Sequence, residues 1–189
     1  MNNINKFKDI HKGKRCFVMG NGYSLNYNNL NLLKDEITIG CNRIGLIYNP
    51  TYLCIADSVI YKQHKKQIDR TKSIMFMATN DEYSITNENS KKDMYIVKSR
   101  TDKGIIWKGA FWDDNLEYVT WFGKGNNGTV VIDLCIPLAH YMGITEIYLI
   151  GVDFTLCRWR GSNREGSVAG YFCDNKPYWQ NQPPDGGDK

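Results

Sequence analysis

Two glycine-rich turns, two asparagines and two aspartates are the residues of this chain with a chemistry to offer. Gly20-Asn21-Gly22-Tyr23-Ser24 follows the apolar run Cys16-Phe17-Val18-Met19, and Gly125-Asn126-Asn127-Gly128-Thr129 opens an amphipathic stretch. Glycines let a backbone approach a ligand closely and let its amides face an anion. A turn that ends on a helix N-terminus, as at Thr129, adds unpaired amides and the positive end of the helix dipole. Asn42 and Asn127 carry amides suited to a sugar hydroxyl, a base edge or a phosphate oxygen. Asp57 and Asp153, the latter within Gly151-Val152-Asp153-Phe154, suit ribose hydroxyls or, as a pair, a magnesium ion. Each element alone is weak: Gly-Asn-Gly is a common turn and Asp57 is equally a helix cap. Position 25 is leucine, so no full dinucleotide fingerprint forms, and no G-x-x-x-x-G-K-[ST] element exists.

Their placement relative to the strands gives these residues weight. Cys16-Phe17-Val18-Met19, Ile37-Thr38-Ile39, Tyr52 to Ala56 and Ser73 to Ala78 read as short buried strands. Ser24 is placed to cap a short helix or turn through Leu25, Leu30 and Leu33. Ser58 to Arg70 reads as a helix with lysines on its outer face, and Met94 to Val97 as a further strand. Val130, Val131, Leu134, Cys135, Leu138, Ala139 and Met142 share one helical face. Pro137 inside that helix predicts a kink, Gly143 its C-cap, and Ile147 to Ile150 a buried strand after it.

Strand, helix, strand in this order predicts an α/β fold: a Rossmann-like, doubly wound, mostly parallel sheet. Residues 1–156 form the nucleotide-binding domain, with 79–124 as an insertion or lid, and 157–189 a short irregular C-terminal tail. In such a sheet ligands bind beyond the carboxyl ends of the strands, where the turns named above fall. The chain of 189 residues carries a net charge of +4, which suits a small phosphate-bearing ligand and gives no support for nucleic acid. No apolar run approaches the ~20 residues of a membrane span, and no apolar signal core follows Met1, so the expected compartment is the cytoplasm. The six cysteines are dispersed without a C-x-x-C pair, which predicts reduced, buried thiols rather than disulfides or zinc ligands.

Three segments carry a resemblance to known proteins. Gly20-Asn21-Gly22-Tyr23-Ser24-Leu25 resembles the G-N-G-P-S-L opening of bacterial sialyltransferases. That opening recurs in a wider superfamily with flagellin-glycosylation accessory proteins and archaeal hydroxymethylpterin diphosphokinases. Ile39-Gly40-Cys41-Asn42-Arg43 resembles their second-strand asparagine segment. The stretch from Asn127-Gly128-Thr129 through Tyr141 to Phe154 resembles one in which a small-residue turn opens a helix and an E-I-Y-L-x-G-[IV]-D-F strand follows, here Glu146 to Phe154.

The resemblance implies a Rossmann-like nucleotide-binding fold and, for the sialyltransferases, a CMP-sugar donor. Carried across, Gly20, Asn21, Gly22 and Ser24 line the donor phosphate and sugar, and Asn42 sits beside the ribose or phosphate. Asn127 and Gly128 meet the donor sugar, while Gly151, Asp153 and Phe154 hold the cytidine. The sialyltransferases place a histidine base after that strand. Here no histidine follows His140, and Tyr171 or Asp174 stands in its region.

Three functions remain open at this point. The first is a glycosyltransferase taking a CMP-type donor and a glycan or small-molecule acceptor, with no required cofactor and with Tyr171 or Asp174 assisting. The second is a Mg2+-dependent diphosphokinase on a pterin-like alcohol, with Asp57 and Asp153 holding the metal. The third is a nucleotide-binding module without full catalytic equipment. Any of them admits a homo-oligomer.

Overall fold

The computed structural model describes residues 4–56, 58–79, 94–100, 118–120 and 130–153. Seven strands are laid down in chain order: β1 (Arg15–Met19), β2 (Ile37–Cys41), β3 (Tyr52–Ile55), β4 (Ile74–Thr79), β5 (Met94–Arg100), β6 (Tyr118–Thr120) and β7 (Glu146–Ile150). They form one sheet in the order β6-β5-β4-β3-β2-β1-β7. Every neighbouring pair is parallel. The α/β, Rossmann-like architecture expected from the strand–helix–strand order is the one observed. β5 and β6, both from the 79–124 segment, extend the sheet beyond β4.

From β1 to β4 the sheet is buried on both faces, which is why these strands read as apolar runs without alternation. Cys16, Val18, Ile39, Cys54, Phe76 and Val97 pack on one face under the helix after residue 130. Leu53, Ile55, Met75 and Met77 lie on the other, with Tyr61 and Ile68 of α1 (Ser58–Ile68). Over β1 and β2 that second face is covered by two short 3-10 turns, Tyr23–Tyr27 and Leu30–Leu33, through Leu25 and Leu33. Four asparagines between residues 26 and 31 explain the short turns, since asparagine favours local side-chain bonds over continued helix. Asn29 indeed accepts from the Asn31 amide (3.2 Å). The expected cap by Ser24 is not made: Gly22 precedes the first turn, and Ser24 bonds elsewhere.

The helical stretch after residue 130 buries the predicted face. Leu134, Cys135, Leu138, Ala139 and Met142 are fully enclosed and Val131 is nearly so. Pro137 disturbs it as expected, but the disturbance takes the form of a π-helical turn, Val131–Cys135, ahead of α2 (Ile136–Tyr141). The Ile136 amide bonds to Val131 O, five residues back. Proline has no N–H for Asp133 O, so the wider turn absorbs the missing bond and leaves Pro137 in the first turn of α2. Gly143 (φ +79°) ends α2, with its amide on His140 O (2.9 Å) and that of Ile144 on Ala139 O (3.1 Å).

One expectation is corrected. β7 is not a buried strand: it forms an edge of the sheet, and Tyr148 and Leu149 are 45% and 44% exposed. The cysteines fit the sequence reading where they are described. Cys16, Cys41, Cys54 and Cys135 are free and buried, and burial pushes the Cys16 thiol up to about 12. Cys157 and Cys173 lie outside the described residues. No helix among the described residues is long and apolar enough to cross a membrane.

The N-terminal segment plugs the amino end of the sheet. Phe7 is buried, edge-on to Tyr52, Phe76 and Tyr95. His11 bonds to the Tyr52 hydroxyl (Nε2–Oη 2.7 Å), and burial lowers its pKa below the ordinary 6.5. As pH falls the unfolded chain therefore takes up this proton first. The stability tied to neutral His11 is complete above 6.5 and declines as pH drops through the lower folded value. Replacing His11 with Gln should flatten the part of the melting-temperature profile that falls below 6.5. A variant profile as steep as wild type would show that this histidine is not the group responsible.

Candidate functional site

The strand order reverses beside β1. From β1 to β6 the chain builds outward in one direction, and β7 returns to the opposite side of β1. The carboxyl ends of β1 and β7 thus form a topological switch point, the place where open α/β sheets bind ligands. The turn Gly20 to Ser24 leaves β1 there, and Gly151 to Asp153 leaves β7.

Local chemistry makes these two turns touch. The last ladder pair is Met19 with Ile150. Beyond it the Gly20 amide bonds to Ile150 O (2.8 Å) and the Gly22 amide to Gly151 O (2.7 Å). A Cβ on residue 20 would sit 2.3 Å from Gly151 O, and one on residue 22 would sit 2.6 Å from the Asp153 carboxyl carbon. Gly151 holds φ +62°, and a Cβ there would meet Gly20 O at 2.9 Å. Side chains at these positions are therefore excluded by close contact, and at Gly151 by conformation as well.

Asp153 completes the contact. Its Oδ2 accepts from the Ser24 amide (2.9 Å), and its Oδ1 accepts from the Ser24 hydroxyl. Both bonds are charge-assisted, the strong class of hydrogen bond. Gly20, Gly22, Ser24, Gly151 and Asp153 are thus brought together in one cluster.

Asn21 points the other way. Its Nδ2 donates to Cys41 Sγ at the end of β2 (3.0 Å), while its Oδ1 is enclosed with no hydrogen-bond partner among the described residues. Burial raises the Cys41 pKa well above its ordinary value, so this neighbour stays a neutral thiol. Asn42 follows directly in the left-handed region (φ +47°), which asparagine tolerates better than most residues. Its Oδ1 accepts from the Ala56 amide (3.4 Å), tying the end of β2 to the end of β3. Asp57, Asn127, Gly128, Thr129, Phe154, Tyr171 and Asp174 lie outside the described residues.

Sequence reasoning passed over two neighbours of these groups. Cys41, between Gly40 and Asn42, carried no signal of its own. Arg43 is only 8% exposed, and nothing in its neighbours Asn42 and Ile44 announced that burial.

A family model matches residues 1–158, most of the chain and every turn named above. The chain belongs to the 6-hydroxymethylpterin diphosphokinase MptE-like family. No curated protein and no solved structure matches it. The MptE-like match spans the glycine turn after β1 and the Gly151 to Asp153 turn together, the two segments that meet at the switch point.

Magnesium is the metal that a diphosphokinase-like reading brings with it. Asp153 is the one carboxylate with a described side chain in the turns that end these strands, and both its oxygens are engaged by Ser24. Among the described residues no group of three or more His, Cys, Asp or Glu could hold a metal ion.

The backbone contact predicts a specific sensitivity. Gly20→Ala should cost about 1–3 kcal/mol or more, as overpacking does against an atom that cannot yield. For a chain of this size that is roughly 2–4 °C of melting temperature per kcal/mol. An unchanged melting temperature would mean that the two turns do not meet as described.

Proposed function

We propose that this protein binds a nucleoside triphosphate at the β1–β7 switch point and transfers a diphosphoryl group to a small pterin-like alcohol. The observation that carries the reading is the MptE-like family match over residues 1–158. The side-chain-free contact between Gly20 and Gly151 supports it, because such a turn lets a ligand lie close against backbone.

In this reaction the alcohol oxygen attacks the β-phosphorus of ATP. The bond from that phosphorus to the oxygen bridging it to the α-phosphate breaks, AMP leaves, and the hydroxyl proton is released. Phosphoryl transfer of this kind leans on positioning and charge stabilisation more than on a dedicated base. The lack of a histidine after His140 is therefore no obstacle to it. The chain's own part is to orient. The Asn21 side chain, bonded to Cys41, holds the turn against the end of β2. The Asn42 side chain, bonded to Ala56, keeps the ends of β2 and β3 in register beneath the ligand. Asp57 and the 125–129 turn are proposed to complete the site from the neighbouring strand ends.

Thermal stabilisation by nucleotides tests this reading. A ligand at 100 times its dissociation constant adds about 2.7 kcal/mol to the folded state, which corresponds to roughly 5–10 °C here. ATP with Mg2+ should give that shift, and incubation with a hydroxymethyl-pterin should then release AMP in step with loss of the alcohol. A metal-independent shift with CMP would move the assignment to a glycosyltransferase with a CMP-type donor. Silence with ATP, GTP, CMP, CDP and UDP alike would sink nucleotide binding altogether.

A further inference from the structure

Three alternate amides of the turn after β1 are committed to β7. Gly20 N–H bonds to Ile150 O, Gly22 N–H to Gly151 O and Ser24 N–H to Asp153 Oδ2. The backbone at Gly22 is extended (φ −69°, ψ 157°). The first two bonds end on backbone carbonyls. The third ends on a side chain, and it falls where the extended segment passes into the 3-10 turn Tyr23–Tyr27.

We infer that Asp153 is a positioning residue: through Ser24 it holds the Gly20–Ser24 turn against the end of β7 in the shape that receives the ligand, and it does not itself bind magnesium or ribose. The inference rests on the nucleotide-binding reading of this same site. Three observations carry it. Both carboxylate oxygens are bonded to Ser24, one to the amide and one to the hydroxyl. The carboxyl group lies directly against the backbone of Gly22, where a Cβ would come within 2.6 Å of both its carbon and Oδ2. That places it on the β7 side of the turn. Finally, the Ser24 amide is the kind of N–H that an anion seeks at the start of a helical turn, and Asp153 already fills that place.

Four proteins decide the matter: wild type, D153A, D153N and S24A. Two readouts are needed, hydrogen exchange at the Ser24 amide without ligand and nucleotide dissociation constants. D153A should lose about tenfold or more in Ser24 protection, as loss of a charge-assisted bond implies. It should weaken nucleotide binding by a similar factor. D153N keeps an acceptor for the amide and a donor for the Ser24 oxygen, so both values should stay within about threefold of wild type. S24A keeps the amide bond and should fall between them.

Unchanged Ser24 protection in D153A overturns the clamp. D153N that keeps protection yet loses binding as fully as D153A makes the charge a direct contact, and overturns the positioning role. If D153A does not fold, D153N and S24A still separate the two roles. If wild type binds no nucleotide, the nucleotide reading fails, while the exchange rates alone judge the clamp.

Discussion

The close approach of Gly20 and Gly151 is the constraint on which the rest of the switch point depends. With a Cβ on residue 20 only 2.3 Å from Gly151 O, no other residue lets β1 and β7 run on past their last ladder pair. Because they do run on, hydrogen bonding continues from the sheet into the turns, through Gly22 and then through Ser24 to Asp153. Two segments 129 residues apart in sequence become one rigid edge. Everything between them has to deliver β7 back beside β1 in register. The π-turn and α2 do this by burying Leu134, Cys135, Leu138 and Ala139 on the sheet.

That delivery explains the composition of the core below the site. Cys16, Cys41, Cys54 and Cys135 stand where β1, β2 and β3 meet the π-turn, and larger side chains would hold the helix away from the sheet. Small, soft residues let it come close. Burial pushes the Cys16 thiol up to about 12 and raises Cys41 and Cys135 well above the ordinary range, so these three pack as neutral thiols. Asn21 reaches into this layer through Cys41. The Gly20–Ser24 turn is thereby braced from two directions, by Asp153 beyond the end of β7 and by Cys41 at the end of β2.

What was legible in the sequence follows from how local each signal is. β1 to β4 stood out because a strand buried on both faces must be continuously apolar, and the face of the 130–142 helix because its spacing is local. β6 could not be seen: three residues, Tyr118–Thr120, carry no period of their own within an aromatic-rich stretch. β7 looked buried from its five residues, yet edge position is a property of the whole topology. Pro137 announced a disturbance but not its form, since a kink and a π-turn both relieve a missing N–H. Ser24 was read as a local cap because its true partner is far away along the chain. At the site, residue types and the shared sheet edge were legible; which atoms pair with which was not.

The pairing changes what the glycine turn can do chemically. Read as sequence, Gly20 to Ser24 offers five amides to an anion; folded, three of them are committed to β7. Two remaining N–H groups are fewer than a loop needs to wrap a diphosphate in the manner of a P-loop, whose motif the chain also lacks. What this turn retains is a fixed backbone shape, held to the end of β7 through Gly20, Gly22 and Ser24 and to the end of β2 through the Asn21–Cys41 bond.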